Sequence, residues 1–200
     1  MTSFFIAINL KYVLSCDYKR GLSMIHLGTV KLETKRLVLR RLELSDAKEL
    51  FEGLRNQDGF CYYANKEKVT LEQQIESFKS LAEKYENLAY YNWAIVQKSD
   101  GKIVGAINFK ANDKNDSVEF SYATDEKFAG RGYMTEALNC VTDFAFSQLK
   151  ANRVQGGCSV KNLASKRVME KCGFEFEGTL KQYLKLRDGY HDMHMFSKTK

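Results

Sequence analysis

A glycine loop between a strand and a helix constrains this sequence more than any other feature. The loop runs Lys127-Phe128-Ala129-Gly130-Arg131-Gly132-Tyr133-Met134, directly after the strand-like stretch Ser117–Thr124. Beyond it, apolar residues recur at helical spacing, at Met134, Ala137, Leu138, Val141, Phe144, Ala145 and Leu149. Glycine leaves the backbone open to a ligand, and a helix start offers unpaired N–H groups with a partial positive charge. The loop therefore predicts an anion site.

Two well-known glycine motifs are excluded at this loop. A Walker loop needs Lys and then Ser or Thr after its last glycine, but Tyr133 and Met134 follow Gly132. A dinucleotide-binding fingerprint needs a third Gly or Ala, and that position is Thr135. On spacing alone, a glycine pair that only forms a tight turn remains the alternative to phosphate binding.

The loop resembles the Arg/Gln-x-x-Gly-x-Gly/Ala signature of the GNAT acyltransferases, with Lys127 in the first position. Three further stretches resemble the RimJ/RimL-like branch, which includes the ribosomal-protein N-terminal acetyltransferases. They are Thr34-Lys35-Arg36-Leu37-Val38-Leu39-Arg40 with Ser45-Asp46-Ala47, Val118-Glu119-Phe120-Ser121-Tyr122, and Asn162-Leu163-Ala164-Ser165 with Lys171-Cys172-Gly173-Phe174. The resemblance spans residues 30–197. The chain has no proline, so the proline that this branch often carries before the loop is missing.

Composition indicates a single folded domain. A chain of 200 residues with 44% hydrophobic residues can bury a substantial core. The net charge of +6 favours anionic ligands, but its interspersed lysines and arginines do not indicate nucleic acid. The five cysteines are odd in number and form no Cys-x-x-Cys pair. We therefore expect reduced thiols in a cytoplasmic protein rather than disulfides or a zinc site.

The first 23 residues contain an apolar run, 4–10, that no basic residue precedes and that Lys11 interrupts. This run is too short to span a membrane and a poor secretory signal, so no membrane association is expected. We expect residues 1–23 to be an extension outside the fold, with Met24 as the natural start. Residues 24–200 then form one acetyltransferase domain.

Periodicity and turn residues predict eleven elements in the order β-α-α-β-β-β-α-β-α-β-β. Besides the strand–loop–helix unit, they are strand 37–42, helix 46–56 capped by Ser45, helix 70–86 with a Thr70/Gln73 capping box, strands 91–97 and 102–110, strand 153–160, helix 162–172, and a hairpin of 174–185 with 190–197. The resemblance implies an α/β (α+β) GNAT fold, with one mixed, mostly antiparallel sheet flanked by helices. It also implies that the central strands splay apart and that the pantetheine arm of acetyl-CoA lies in the gap.

The resemblance implies direct transfer of acetyl from acetyl-CoA to a primary amine, without a metal. The pyrophosphate of CoA is expected on the amides of Ala129, Gly130, Arg131, Gly132, Tyr133 and Met134. Lys127 and Arg131 are expected to add positive charge, and the alternative is that both are ordinary solvent-exposed surface residues. The pantetheine arm and thioester are expected at Tyr122, Ala123 and Thr124, with the thioester oxygen on a backbone N–H near Tyr122 or Ala123.

Two side chains are expected at the thiol end of CoA. Asn162 and Ser165 match family positions that line the pantetheine and thiol. Ser165 is the candidate that protonates the departing thiolate, and its alternative is a serine on the helix surface. Many other GNAT enzymes use a tyrosine for that step.

The attacking amine must be neutral, which bears on the acceptor. At pH 7, deprotonation costs an α-amine about 1 kcal/mol and a lysine side chain about 4.6 kcal/mol. An N-terminal amine therefore needs less assistance from the enzyme to lose its proton.

Glu119 is the candidate base, acting through a water, and a cross-strand ion pair is its alternative. Tyr62, Tyr63 and His191 are candidates for the acceptor pocket, while core packing of the tyrosines is the alternative.

Three hypotheses from different classes follow. The first is an acetyl-CoA-dependent N-acetyltransferase acting on a protein N-terminal α-amine, such as that of a ribosomal protein, or on a small amine. The second is a non-catalytic binding module that senses CoA. The third is a basic RNA- or ribosome-binding protein. An exposed strand edge could also pair two copies into a homodimer.

Overall fold

The computed structural model describes residues 24–55, 70–186 and 188–200. The strands are β1 (Leu32–Glu33), β2 (Leu37–Arg41), β3 (Tyr91–Gln97), β4 (Ile103–Asn112), β5 (Ser117–Thr124), β6 (Arg153–Ser159), β7 (Glu175–Leu186) and β8 (Gly189–Thr199). The α-helices are α1 (Ala47–Leu50), α2 (Leu71–Lys79), α3 (Leu81–Lys84), α4 (Tyr133–Ser147) and α5 (Leu163–Lys171). Two 3-10 turns, Leu44–Asp46 and Glu126–Phe128, and a π-helical turn, Phe51–Arg55, complete the described elements.

Within these residues the strands form one sheet in the order β1-β2-β3-β4-β5-β6-β8-β7. Strands β5 and β6 are parallel, and the other neighbouring strands are antiparallel. The predicted α/β (α+β) architecture, a mixed and mostly antiparallel sheet flanked by helices, is confirmed. Among the described helices, none is both long and apolar enough to cross a membrane.

Different helices cover the two faces of the sheet. On one face, Trp93 and Ile107 are buried in the same core as Leu138 of α4. On the other face, Ala94 packs with Phe78 of α2. Because successive side chains of a strand point to opposite faces, β3 contributes to both cores. A long helix and a helix pair therefore enclose the sheet between them.

The central strands splay, as the resemblance implies. The pairing of β5 with β6 ends at Glu119 and Gln155, although both strands continue. At the next position the ring of Phe120 lies against Gly156, where a Cβ atom would be 2.5 Å from the ring. The ring also packs edge-on against Phe174, with 5.0 Å between centroids. The Phe120 ring therefore packs over the bare backbone of Gly156 at the position where the ladder ends.

The predicted cap at Ser45 is wrong, and the predicted helix 46–56 is helical up to the last described residue, Arg55, but is not one regular α-helix. The chain instead makes a 3-10 turn, the four-residue α1 and a π-helical turn. The buried carboxylate of Asp46 accepts hydrogen bonds from the Arg40 guanidinium at 2.7 and 2.9 Å and from the Glu43 amide at 2.8 Å. Asp46 is thus held by Arg40 at the end of β2 and by the nearby Glu43 amide, and these contacts take the place of the predicted Ser45 cap.

The capping box before α2 is confirmed. The Thr70 hydroxyl accepts from the Gln73 amide at 3.3 Å, and the Gln73 side chain accepts from the Thr70 amide at 2.9 Å. The predicted continuous helix 70–86 is nevertheless broken at Ser80. The hydroxyls of Ser77 and Ser80 donate to carbonyls three residues back, and such local hydrogen bonds compete with a regular helix.

The close contact at Gly156 leads to a stability prediction. Gly156→Ala places a methyl group into the Phe120 ring, so we expect the free energy of unfolding to fall by about 1–3 kcal/mol. Urea denaturation measures the change. The Phe120→Leu variant lacks the ring. Gly156→Ala should therefore lower the free energy of unfolding clearly less in that variant than in the wild type. An equal loss of unfolding free energy in both backgrounds would contradict the contact between Gly156 and the Phe120 ring.

Candidate active site

Two clefts meet where β5 and β6 part, within the described part of the chain. The loop cleft, of about 430 Å³, is lined by the glycine loop, the end of β5 and α5. The sheet cleft, of about 550 Å³, lies between α1, α2 and the sheet. The described residues that line both clefts are Leu54, Tyr122, Ala123, Asn162 and Ser165. A group bound in one cleft can therefore reach a group bound in the other at this junction.

The glycine loop has the backbone that its sequence predicts. Gly130 and Gly132 have φ angles of +74° and +76°, in the left-handed region that favours glycine. Gly132 is the N-cap of α4. No acceptor within the described chain pairs with the amides of residues 130–134. These amides lie at the start of a 15-residue helix, where the helix dipole favours an anion.

The predicted cofactor residues are brought together, with two exceptions. Tyr122, Ala123, Thr124 and Asn162 line the loop cleft, as do most of the glycine loop and Ser165. Lys127 and Arg131 are not among its described lining residues. The Lys127 amide donates to the Asp125 carboxylate at 2.9 Å, and the Arg131 guanidinium lies 5.6 Å from the centroid of the Phe128 ring.

Sequence reasoning missed Arg36 as a support of the loop. Its Nη1 donates to the carbonyl of Arg131 at 3.0 Å, and its Nε donates to Glu136 Oε2 at 2.6 Å. The guanidinium also lies 4.4 Å from the centroid of the Tyr133 ring. A charged group thus contacts the loop, the first turn of α4 and an aromatic ring. The interaction could not be found from the sequence because its partners are about a hundred positions away.

Glu136 is held as a carboxylate by these neighbours. Burial opposes its charge, but hydrogen bonds from the Thr34 hydroxyl and from the Arg36 amide and guanidinium outweigh burial and lower its pKa. The ion pair with Arg36 therefore persists over the physiological pH range. It ties the chain before β2 to the start of α4.

Ser165 lies at the junction rather than on the outer surface of α5. Its hydroxyl is 2.9 Å from the hydroxyl of Tyr122, which also donates to the Ser165 carbonyl at 3.2 Å. Burial raises the pKa of Tyr122, so the phenol is neutral. The Asn162 side chain caps α5 by accepting from the Ser165 amide at 3.0 Å, which fixes the first turn of the helix.

A buried thiol lies beside this hydroxyl pair. Cys158 lines the sheet cleft, and burial raises its pKa more than the Ser165 hydroxyl lowers it. A protonated thiol is a poor nucleophile. Cys158 is therefore a packing residue at the junction, in agreement with direct transfer.

Glu119 lines the sheet cleft on the exposed face of β5. It is directly opposite Lys110 on β4, yet it has no ion-pair partner among the residues that the structure describes. The cross-strand ion pair considered for it is absent there. Its carboxylate is therefore available to a group bound in the sheet cleft.

The three residues predicted to line the acceptor pocket differ in where they lie. His191 is buried, and its Nε2 lies 2.6 Å from Asp188 Oδ1. This hydrogen bond lowers the pKa of Asp188. His191 is not among the described lining residues of either cleft. Tyr62 and Tyr63 lie outside the described residues.

Comparisons with known proteins agree with this geometry. Residues 36–175 match the family described as acetyltransferase (GNAT) domain. The chain is 30% identical over 168 residues to the probable N-acetyltransferase YjcK of Bacillus subtilis (strain 168), covering 80% of this chain and 92% of the relative. It is 29% identical over 170 residues to the uncharacterized N-acetyltransferase YoaA of the same strain, covering 84% of this chain and 96% of the relative.

A solved structure has the same fold. RimL, a ribosomal L7/L12 α-N-protein acetyltransferase in complex with coenzyme A, superposes with a TM-score of 0.74 at 21% identity. The match covers 85% of this chain and 98% of that one. Together, the family match across most of the chain, the related sequences and the shared fold show that the chain belongs to the GNAT acetyltransferase family and is an N-acetyltransferase that uses acetyl-CoA.

Proposed function

We propose that this enzyme acetylates the α-amine of a protein or peptide N terminus by direct transfer from acetyl-CoA. The meeting of the two clefts at Tyr122 and Ser165 carries the proposal. A thioester in the loop cleft and an amine in the sheet cleft would be in contact there. No covalent acyl-enzyme is needed, because proximity alone supplies much of the rate of such a step.

In this proposal the loop cleft holds CoA. The unpaired amides of residues 130–134 bind the pyrophosphate, and the arm follows β5 past Thr124 toward Ser165. A backbone N–H at Tyr122 or Ala123 donates to the thioester oxygen. A preorganised donor of this kind is worth about 2.7–4 kcal/mol when negative charge develops on that oxygen. Lys127 and Arg131 contribute charge from the rim.

Ser165 then protonates the leaving group. As the amine nitrogen attacks the carbonyl carbon, the carbon–sulfur bond breaks and the sulfur takes the Ser165 hydroxyl proton. The single proton of the neutral Tyr122 phenol, which donates to the Ser165 carbonyl in the free enzyme, turns to Ser165 Oγ, 2.9 Å away, and stabilises that oxygen as it loses its proton. Exchange with solvent then returns a proton to Ser165. Tyr122 therefore positions Ser165 and supports its acidity.

Glu119 receives the proton from the attacking amine through a water. Its support is its place in the sheet cleft and its lack of an ion-pair partner in the described chain. An α-amine loses a proton more readily than a lysine side chain does, so one carboxylate is enough. The shared fold with RimL, a ribosomal L7/L12 α-N-protein acetyltransferase, also favours an N-terminal acceptor.

The loop assignment predicts the effect of a charge at the anion site. Gly132→Glu should abolish acetyl-CoA binding, measured by calorimetry, because the carboxylate would repel the pyrophosphate. Gly101→Glu is the matched control, since Gly101 also has a left-handed φ of +73° and lies in the β3–β4 turn. Unchanged affinity in Gly132→Glu would contradict the assignment.

Ser165→Ala should lower kcat by about a hundredfold, the lower range for a general acid. The dissociation constant of acetyl-CoA should change little. Tyr122→Phe should have a smaller effect on kcat, and Ser147→Ala on the surface of α4 should have none. Initial rates of CoASH release measure all three variants. A Ser165→Ala enzyme with wild-type kcat would remove Ser165 from the mechanism.

Glu119→Gln should lower kcat about a hundredfold and change the pH profile. In the wild type, kcat/KM should fall toward acid as the base and the amine protonate. In the variant, the part of the fall in kcat/KM that comes from protonation of Glu119 should be missing, and only the part from protonation of the amine should remain. A variant whose profile superposes on that of the wild type would show that Glu119 is not the base.

A further inference from the structure

A row of polar side chains crosses the floor of the sheet cleft. Asn92, Asn108 and Ser121 are on the neighbouring strands β3, β4 and β5. Asn92 is directly opposite Asn108, and Asn108 is directly opposite Ser121. Gln74 reaches the same cleft from α2. Direct transfer uses none of these side chains, so their role is separate from the chemistry.

Part of the hydrogen-bonding capacity of this row is used internally. Asn108 Oδ1 accepts from the Ser121 hydroxyl at 2.9 Å, which leaves its NH₂ group available. Asn92 Nδ2 donates to the Tyr90 hydroxyl at 3.2 Å, which leaves its oxygen available. The cleft therefore offers both donors and acceptors that are not committed to the protein.

Gln74 is the strongest sign of a ligand. It is only 5% exposed and lines the sheet cleft. Neither end of its carboxamide has a hydrogen-bond partner within residues 24–55, 70–186 and 188–200. The described buried side-chain atoms that lack a partner are Gln97 Oε1 and Thr142 Oγ1, so the carboxamide atoms of Gln74 are open to the cleft rather than sealed in the core. They are therefore available to a bound group that both donates and accepts hydrogen bonds.

We infer that Gln74 and Asn108 bind the first peptide bond of the acceptor, an inference that rests on the proposed function. With the α-amine at the junction beside Tyr122 and Ser165, the peptide bond that follows it enters the sheet cleft. The Gln74 carbonyl accepts from the peptide N–H, and the Asn108 NH₂ group donates to the peptide C=O. The enzyme thereby selects amines that are followed by an amide.

The charge of the sheet cleft also favours a peptide acceptor. Among the described residues that line it, Glu119 is the sole carboxylate. A polyamine or an amino sugar brings several positive charges, and one carboxylate does not compensate them. Uncharged amide side chains instead match an uncharged peptide unit. The cavity volume of about 550 Å³ is in the range of small-ligand sites, which accommodates a short peptide end.

The test compares two acceptors that differ in one atom. Seryl-alanine amide and its depsipeptide, in which an ester oxygen replaces the peptide N–H, have the same shape and both carry an α-amine. Spermidine is the polycationic comparison. The wild-type enzyme should prefer the peptide to the depsipeptide by about tenfold in kcat/KM, as expected for the loss of one hydrogen bond to a buried partner.

Gln74→Leu should reduce that preference to about one, with the affinity for acetyl-CoA unchanged. Asn108→Asp keeps an acceptor for Ser121 but loses the NH₂ donor, so it should lower kcat/KM for both acceptors about tenfold. Gln148→Leu is the matched control because it makes the same change at the exposed end of α4, and it should keep the wild-type preference.

Equal wild-type rates with peptide and depsipeptide would overturn the inference, as would a tenfold preference that survives Gln74→Leu. Spermidine as the best acceptor would overturn both the inference and the proposed α-amine acceptor, while leaving acetyl transfer itself intact. If acetyl-CoA binds but none of the three acceptors releases CoASH, the proposed function fails and the inference fails with it.

Discussion

The parallel ladder of β5 and β6 ends early, at the position where the Phe120 ring packs against the bare backbone of Gly156. The meeting of the two clefts depends on the separation of the strands beyond this position. If the ladder continued to the ends of the strands, main-chain hydrogen bonds would close the gap, and the loop cleft and sheet cleft would not meet at Tyr122 and Ser165.

The two sides of the junction are built by different means. The loop side relies on backbone amides and left-handed glycines, with Arg36 and Glu136 fixing the loop to the chain before β2. The sheet side relies on side chains, namely the amides of Asn92, Asn108 and Gln74. In the proposed function, the backbone amides bind the pyrophosphate of CoA, and the side chains bind the acceptor.

The sequence predicted the features that depend on neighbouring residues. Strands 91–97 and 117–124 have their predicted bounds, and the capping box at Thr70 follows from local chemistry. The sequence did not reveal the Arg36–Glu136 pair, because its partners are a hundred positions apart and meet only in the folded chain. The separation of β5 and β6 was predicted only from the family resemblance, because a Phe–Gly contact across two strands leaves no pattern in the local sequence.

Thermal unfolding with and without acetyl-CoA tests the central claim, that the gap and the glycine loop form one CoA site. At a hundred times its dissociation constant, a ligand adds about 2.7 kcal/mol of stability. For a domain of this size the midpoint should rise by roughly 5–11 °C. We expect that rise with acetyl-CoA and none with ATP at equal concentration. No rise with acetyl-CoA, or an equal rise with ATP, would contradict it.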